Sequence, residues 1–151
     1  MSAPLTAQRA LDPQPMEREE YGCLLNTLLE AERAGAKLLA AYADELPLDS
    51  RGWTVLSAVQ RDEARNCAVL IHLLLGADLT PTTAVGDFYR KGLAIVGWRD
   101  RLEFLNRGQA WVAKSIATAL PRISEIGGRT VLQTMLDSHI ANIGSCERLL
   151  A

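Results

Sequence analysis

Long stretches in which apolar residues recur at helical spacing are the feature that most restricts what this chain can fold into. They run from Glu17 to about Glu45, from about Arg51 to Leu75, from Trp98 to about Leu120 and from about Arg129 to Leu150. Apolar side chains at this spacing share one side of a helix, and that side has to be buried against another element. No segment alternates apolar and polar residues as a half-buried strand does. The sequence therefore predicts an all-α protein.

The connections between these segments predict how the helices are arranged. Pro47 and LDSRG separate the first two, with Asp49 or Ser50 available as N-cap of the second. Pro121 and the turn expected at Gly127 and Gly128 separate the last two. Short connections of this kind favour antiparallel neighbours.

The connection between the second and third helices is longer. GADLTPTTAVG contains turn and β-favouring residues, and Asp87 is a candidate N-cap for a short helical piece, FYRKGLAIV, with a bend expected near Gly97. This length is enough to run back along the helices. The prediction is a four-helix bundle over residues 17–151 with one crossover connection, preceded by a flexible tail over residues 1–16.

Composition excludes several classes of partner. The chain has 16 Lys and Arg against 18 Asp and Glu, so its net charge of −2 provides no attraction for nucleic acid or anionic lipid. No apolar run is long enough to span a membrane or to form the core of a signal peptide. The odd number of cysteines, Cys23, Cys67 and Cys146, predicts free thiols packed in apolar helical segments. We expect a soluble, cytoplasmic protein.

Three ionisable residues lie on the apolar sides of three different helices. Glu32 shares the stripe of Leu25 and Leu28, whereas Asn26, Glu30, Arg33 and Lys37 line the opposite, solvent-facing side. Glu63 lies near the middle of the second stripe, and His139 occupies the equivalent position in the fourth. Two inward glutamates repel one another unless a cation or a shared proton lies between them.

The third helix contributes amides more naturally than an acid. Gln109 falls at the centre of its apolar side and Asn106 near the edge, while Glu103 lies round toward the charged face. Asn66 and Asn142, one turn after Glu63 and His139, are further candidates for a polar interior. Gly35, one turn from Glu32, permits close helix approach or leaves room for a ligand.

These residues resemble the ferritin-like superfamily of di-iron carboxylate bundles. That family uses a Glu from each of two helices and Glu-x-x-His from each of the other two. The resemblance implies that Glu32 is the ligand of the first helix and Glu63 begins the motif of the second, with Asn66 in place of its histidine. The stretches LLEAERAGAK, DEARNC, FLNRGQAW and SHIANI look like a bacterial branch of these proteins.

The fourth helix aligns with the family motif in two ways. His139 is either the motif's histidine, with Leu136 where the glutamate belongs, or its first residue, with Asn142 in the second place. Both alignments lose a carboxylate, so the set of ligands for two metal ions is incomplete.

Three functions follow from this pattern. The first is a metal-binding protein of the ferritin-like class and a candidate oxidoreductase, with Glu32, Glu63 and His139 as ligands for iron, manganese or zinc. The second is a structural or interaction bundle without metal, in which His139 bridges the two acids. The third is a small-molecule pocket that uses Asn106 and Gln109, with a buried cavity beside Glu32 as its sign. A homodimer is expected in each case.

Overall fold

The computed structural model describes residues 13–45 and 49–151, and it is helical. The helices are α1 (Arg18–Ala43), α2 (Ser50–Gly76), α3 (Phe88–Leu93), α4 (Trp98–Ala119) and α5 (Ile126–Leu150), with a 3-10 turn at Leu120–Arg122. No strand occurs in the described residues. The all-α prediction is therefore confirmed.

Side-chain contacts give the directions of the long helices. Gln60 of α2 donates to the carbonyl of Ala36 in α1 at 3.4 Å, and Leu79, just beyond α2, lies against Gly22 near the start of α1. These two helices are therefore antiparallel. On the other side, Asn106 of α4 donates to the carbonyl of Ile143 in α5 at 3.2 Å.

Two further contacts relate the helix pairs to each other. Arg99 at the start of α4 donates to the carbonyl of Leu150 at the end of α5, so these helices are also antiparallel. Tyr21 lies beside Gly128, and Glu32 contacts His139, so α1 and α5 run in the same direction. It follows that α2 and α4 also share a direction, and the chain between them has to travel back along the helices.

That connection lies along α1. Asn26 accepts from the Thr82 amide at 2.8 Å and donates to the Thr80 carbonyl at 3.1 Å, while Arg33 donates to the Thr82 and Ala84 carbonyls at 3.1 and 2.7 Å. Helical spacing assigns this side of α1 to solvent. The expectation is wrong for Asn26, Glu30 and Arg33, which are half-buried under the connection. The side chains of Asn26 and Arg33 bind its backbone, and the Glu30 carboxylate accepts from the Thr82 hydroxyl at 2.9 Å.

The helix ends match the sequence signals in part. Asp49 caps α2 by accepting from the Gly52 amide at 2.8 Å, as predicted, whereas Asp87 makes no capping bond with its side chain. The break near Gly97 is present, and the φ of 93° at this residue favours glycine. The turn predicted at Gly127 and Gly128 is wrong: both are helical.

Gly128 has a different use from the predicted turn. Its backbone lies against the Tyr21 hydroxyl, and a methyl group at this position would overlap with that oxygen. The missing side chain therefore allows α1 and α5 to approach closely, and the turn itself lies earlier, between the 3-10 turn and Ile126.

Two apolar clusters form the core. One contains Leu25, Leu28, Leu29, Leu70, Leu74, Ile116, Leu132 and their neighbours. The other contains Leu38, Leu39, Tyr42, Leu56, Val59, Leu102, Leu105 and Cys146. Along each long helix the chain passes from one cluster to the other, and the buried polar residues fall between them.

The remaining expectations concern the ends and the surface. Residues 1–12 of the predicted tail and Pro47 lie outside the described residues, and Met16 donates its amide to the Arg122 carbonyl at 2.6 Å. None of the described helices is long and apolar enough to cross a membrane. Cys23 is exposed rather than packed in the core; Cys67 is half-buried and Cys146 is buried, and all three are free thiols.

Replacing Tyr42 with phenylalanine tests how the connection is held. The hydroxyl donates to the Gly92 carbonyl at 2.7 Å in a buried position. Removing it leaves that carbonyl with the Ile95 amide, which donates to it at 3.2 Å, so we expect Tyr42→Phe to lower the free energy of unfolding by about 0.5–1.5 kcal/mol in urea titrations. Tyr89→Phe is the control, because the Tyr89 hydroxyl makes no hydrogen bond with the described residues. Equal effects of both changes would contradict this assignment.

Candidate functional site

A buried polar layer separates the two apolar clusters, and each long helix contributes to it. Its members are Glu32 of α1, Glu63 and Asn66 of α2, Gln109 of α4 and His139 of α5. Glu32 and His139 are each 1% exposed and Glu63 is 5% exposed. The spacing argument thus placed these side chains on the correct sides of their helices.

Glu32 and His139 are in direct contact. Nε2 of His139 lies 2.5 Å from Oε1 of Glu32, with the ring N–H donating to the carboxylate in the tautomer that protonates Nε2. The other polar atoms of the pair, Oε2 of Glu32 and Nδ1 of His139, are buried and have no hydrogen-bond partner among the described residues. Each side chain of the pair therefore has one further group available for a ligand.

Glu63 lies beside Gly35 of α1. A methyl group at Gly35 would lie 2.9 Å from Oε1 of Glu63 and 2.8 Å from its Cδ, so only glycine leaves space for this carboxyl group. Burial raises the pKa of Glu63 well above its ordinary value, and the carboxylates of Glu32 and Asp62 raise it further. Glu63 therefore favours its protonated form when no cation is present.

The predicted supporting residues divide into two groups. Asn66 and Gln109 are buried in the layer, and Nδ2 of Asn66 and Oε1 of Gln109 have no partner among the described residues. Asn106 is half-buried and accepts from Nε2 of Gln109 at 3.1 Å, so it orients that amide. Asn142 points elsewhere and donates to Asp62 at 3.0 Å.

Other candidates fall outside the layer. Glu103 is part-exposed and pairs with Arg99 at 3.5 Å, in agreement with its assignment to the charged face of its helix. His72 is exposed. Burial raises the pKa of both Cys67 and Cys146 to about 11, so these thiols stay protonated near neutral pH and do not supply a thiolate.

A cavity of about 500 Å³ reaches this layer from the surface between α1 and α4. Glu32, Glu63 and Gln109 form its buried part, and exposed residues such as Lys91 and Arg107 line its outer part. The cavity beside Glu32 that a small-molecule pocket requires is thus present. Sequence reasoning did not identify its walls, because they depend on how α3 folds back over α4.

The walls of the cavity are aromatic and apolar. The rings of Phe88 and Phe104 are stacked, with centroids 4.3 Å apart, and a methyl group at Gly108 would overlap with the Phe88 ring. Leu105 and Val112 continue the wall of α4. The Gly in FLNRGQAW is the one signal in the sequence for this close approach of α3 to α4.

A metal ion could bind in the polar layer only where the side chains of the layer surround one point. Within residues 13–45 and 49–151, no group of three or more His, Cys, Asp or Glu side chains is arranged to hold a metal ion. Glu32 and His139 are brought together, with the carboxyl group of Glu63 close enough to be affected by Glu32. The role of these residues as metal ligands stays a prediction.

Comparison with known protein families gives a match to one domain family. The model of the family described as "Domain of unknown function (DUF6306)" matches residues 19–148. The chain belongs to the DUF6306 family. The match extends from the start of α1 almost to the end of α5, so the polar layer and the cavity lie within the DUF6306 domain. Searches of curated proteins and of solved structures gave no significant match.

The raised pKa of Glu63 predicts how stability depends on pH. The folded protein binds this proton more tightly than the unfolded chain, so the contribution is present at low pH and is lost as pH rises through the folded-state pKa. In metal-free protein, the free energy of unfolding should therefore fall between the ordinary Glu pKa of 4.5 and the raised value. Glu63→Gln, which has no proton to release, should remove this fall.

Urea unfolding of both proteins at several pH values measures the effect. The variant should gain stability relative to the wild type as pH rises. Glu103→Gln serves as the control, since it removes a part-exposed carboxylate that lies outside the buried layer. Parallel profiles for the wild type and Glu63→Gln would show that folding does not raise the pKa of Glu63.

Two glycine substitutions test the packing of Glu63 against α1. Replacing glycine with alanine inside a helix stabilises it by about 1 kcal/mol where space allows. Gly144→Ala in α5 meets only the flexible end of Arg148 at 3.5 Å and should show this gain. Gly35→Ala should lack this gain, because the methyl group displaces the buried end of the Glu63 side chain.

Thermal or urea unfolding of the two variants measures both effects. A stabilised Gly35→Ala protein would contradict the position assigned to Glu63.

Proposed function

We propose that the protein is a ferritin-like helix bundle that binds a single divalent metal ion at Glu32, Glu63 and His139. Iron, manganese and zinc are the candidate ions, since two carboxylates and one imidazole suit each of them. The incomplete motifs do not fit a pair of metal ions. The proposal is therefore a one-metal site, and oxidoreductase activity would depend on which ion binds.

The observation that carries the proposal is the presence of two buried carboxyl groups without a cationic side chain to balance them. Among the described residues, neither Glu32 nor Glu63 forms an ion pair with Lys or Arg. An isolated buried carboxylate is strongly disfavoured unless it is protonated, paired or bound to metal. A divalent ion would neutralise both groups together.

The donor set suits one ion in number and chemical type, but the three side chains are not arranged around one point in the described residues, so binding would have to draw them together. Oε2 of Glu32, Oε2 of Glu63 and Nδ1 of His139 are buried atoms without hydrogen-bond partners in the described residues. Nε2 of His139 faces Glu32 and Nδ1 lies on the far side of the ring, so His139 can share one ion with Glu32 only through Nε2, after the hydrogen bond to Oε1 of Glu32 has broken. When bound, the ion would act as a Lewis acid. The carboxylates of Glu32 and Glu63 would supply negative charge, and His139 would supply a neutral nitrogen.

A structural or protein-interaction bundle that has lost the metal is the second candidate. The hydrogen bond between His139 and Glu32, together with a protonated Glu63, gives the layer a metal-free state in which the two acids do not repel one another.

A homodimer remains part of both proposals. Three tryptophans are exposed and do not belong to the core. They are the aromatic groups that an interface would cover: Trp53, Trp98 and Trp111.

Metal analysis of protein purified without chelators separates these candidates. We expect an ion in near-stoichiometric amount with the chain, and Glu63→Ala should lose it because the variant removes one of two anionic ligands. Glu103→Ala is the matched control: it removes a glutamate from the charged face of α4 and should retain the metal.

Metal-free wild-type protein that takes up no iron, manganese or zinc in a direct titration would favour the bundle without metal. Retention of the ion by Glu63→Ala would locate the metal elsewhere.

A further inference from the structure

The inner end of the cavity is rich in hydrogen-bond acceptors. Glu32, Glu63 and Gln109 line it, and each carries a buried oxygen without a partner among the described residues. The only amide donor of this set is already engaged, since Nε2 of Gln109 donates to Asn106 at 3.1 Å and lies 3.8 Å from the Cys146 sulfur. A protonated Glu63 carries one O–H donor, and every other free group of this set is an acceptor, so the best ligand for this end supplies donors and, as a cation, displaces that proton.

The charge of the inner end further limits which ligands can bind there. Two carboxyl groups lie at the inner end, and no Lys or Arg pairs with them in the described part of the chain. Hydrogen bonds between a cationic donor and a carboxylate are stronger than those between neutral groups. The inner end thus favours a positively charged head group with several N–H bonds over a neutral or an anionic one.

The size and walls of the cavity point to an organic ligand. A volume of about 500 Å³ lies in the range of small-molecule sites and greatly exceeds that of a metal ion. The stacked rings of Phe88 and Phe104, with Leu105 and Val112, provide an apolar surface between the acids and the solvent. The outer residues Glu30, Asp87, Lys91 and Arg107 carry two charges of each sign, so selectivity comes from the inner end.

We propose that this cavity binds a small organic amine with an aromatic or branched apolar body. The ammonium group lies at Glu32, Glu63 and Gln109, and the body packs against the walls of α3 and α4. The site shares its carboxylates with the proposed metal site but does not require the metal. The two cations therefore compete, and each can be tested without the other.

Titration of metal-free protein with benzylamine tests the proposal. Binding is followed by calorimetry and by the fluorescence of Trp111, which lines the outer part of the cavity. Benzyl alcohol and toluene have the same ring without the positive charge. We expect benzylamine to bind about tenfold or more tightly than either of them, in line with a charge-assisted hydrogen bond to a carboxylate.

Variants then locate the head group. Glu63→Gln keeps the shape of the side chain and should weaken benzylamine at least about tenfold, while leaving toluene unaffected. Glu103→Gln should leave both unchanged, because this residue does not line the cavity. If Glu63→Gln fails to fold, the comparison of the three probes on wild-type protein still decides the preference for a cation.

Three results would overturn the inference: no benzylamine binding, equal binding of benzylamine and benzyl alcohol, or benzylamine binding that Glu63→Gln leaves unchanged. A parallel titration with zinc separates this inference from the proposed function. Zinc binding without amine binding would leave the metal proposal standing, and amine binding without zinc binding would leave only the organic ligand. Displacement of zinc by benzylamine would show that the two share the site.

Discussion

The burial of Glu32 and Glu63 in one polar layer is the constraint on which the rest of the account depends. Two neighbouring buried carboxyl groups are strongly disfavoured when both are ionised and no charge balances them. His139 contacts Glu32 at 2.5 Å, and burial together with the Glu32 and Asp62 carboxylates raises the pKa of Glu63, so the second acid keeps its proton to a higher pH than an exposed glutamate does. This layer lies between two apolar clusters, so any species that neutralises it also contributes to how the four long helices pack together.

The residues around the polar layer make space for the two carboxyl groups and cover the helices that carry them. Gly35 gives the Glu63 carboxyl group its space, since a side chain at that position would overlap with it. The connection between α2 and α4 lies along α1, where Asn26 and Arg33 bind its backbone, and it leads into α3. The position of Phe88 against Gly108 then forms the wall of the cavity that reaches the acids. One path of the chain therefore determines both the cover of α1 and the shape of the cavity.

Helical spacing was sufficient to predict what depends on a single helix. It identified the all-α class and the inward sides of α1, α2, α4 and α5, and therefore the burial of Glu32, Glu63, Gln109 and His139. It did not predict contacts between elements that are distant in sequence. Asn142 lies one turn from His139, but the rotation of α5 against α2 directs its amide to Asp62. Gly127 and Gly128 suggested a turn, although the structural need at Gly128 is the close approach of Tyr21. Membership of the DUF6306 family extends over the whole layer without assigning it a role.

Infrared spectroscopy of metal-free protein, at a series of pH values above the ordinary Glu pKa of 4.5, tests the central claim most directly, because a protonated carboxylic acid has a carbonyl stretch that an ionised carboxylate lacks. The account predicts a band from a buried, protonated glutamate that disappears in Glu63→Gln and persists in Glu103→Gln. Absence of such a band in the wild type would show that both inward glutamates are ionised. That result would contradict the claim that Glu63 keeps its proton when no cation is bound.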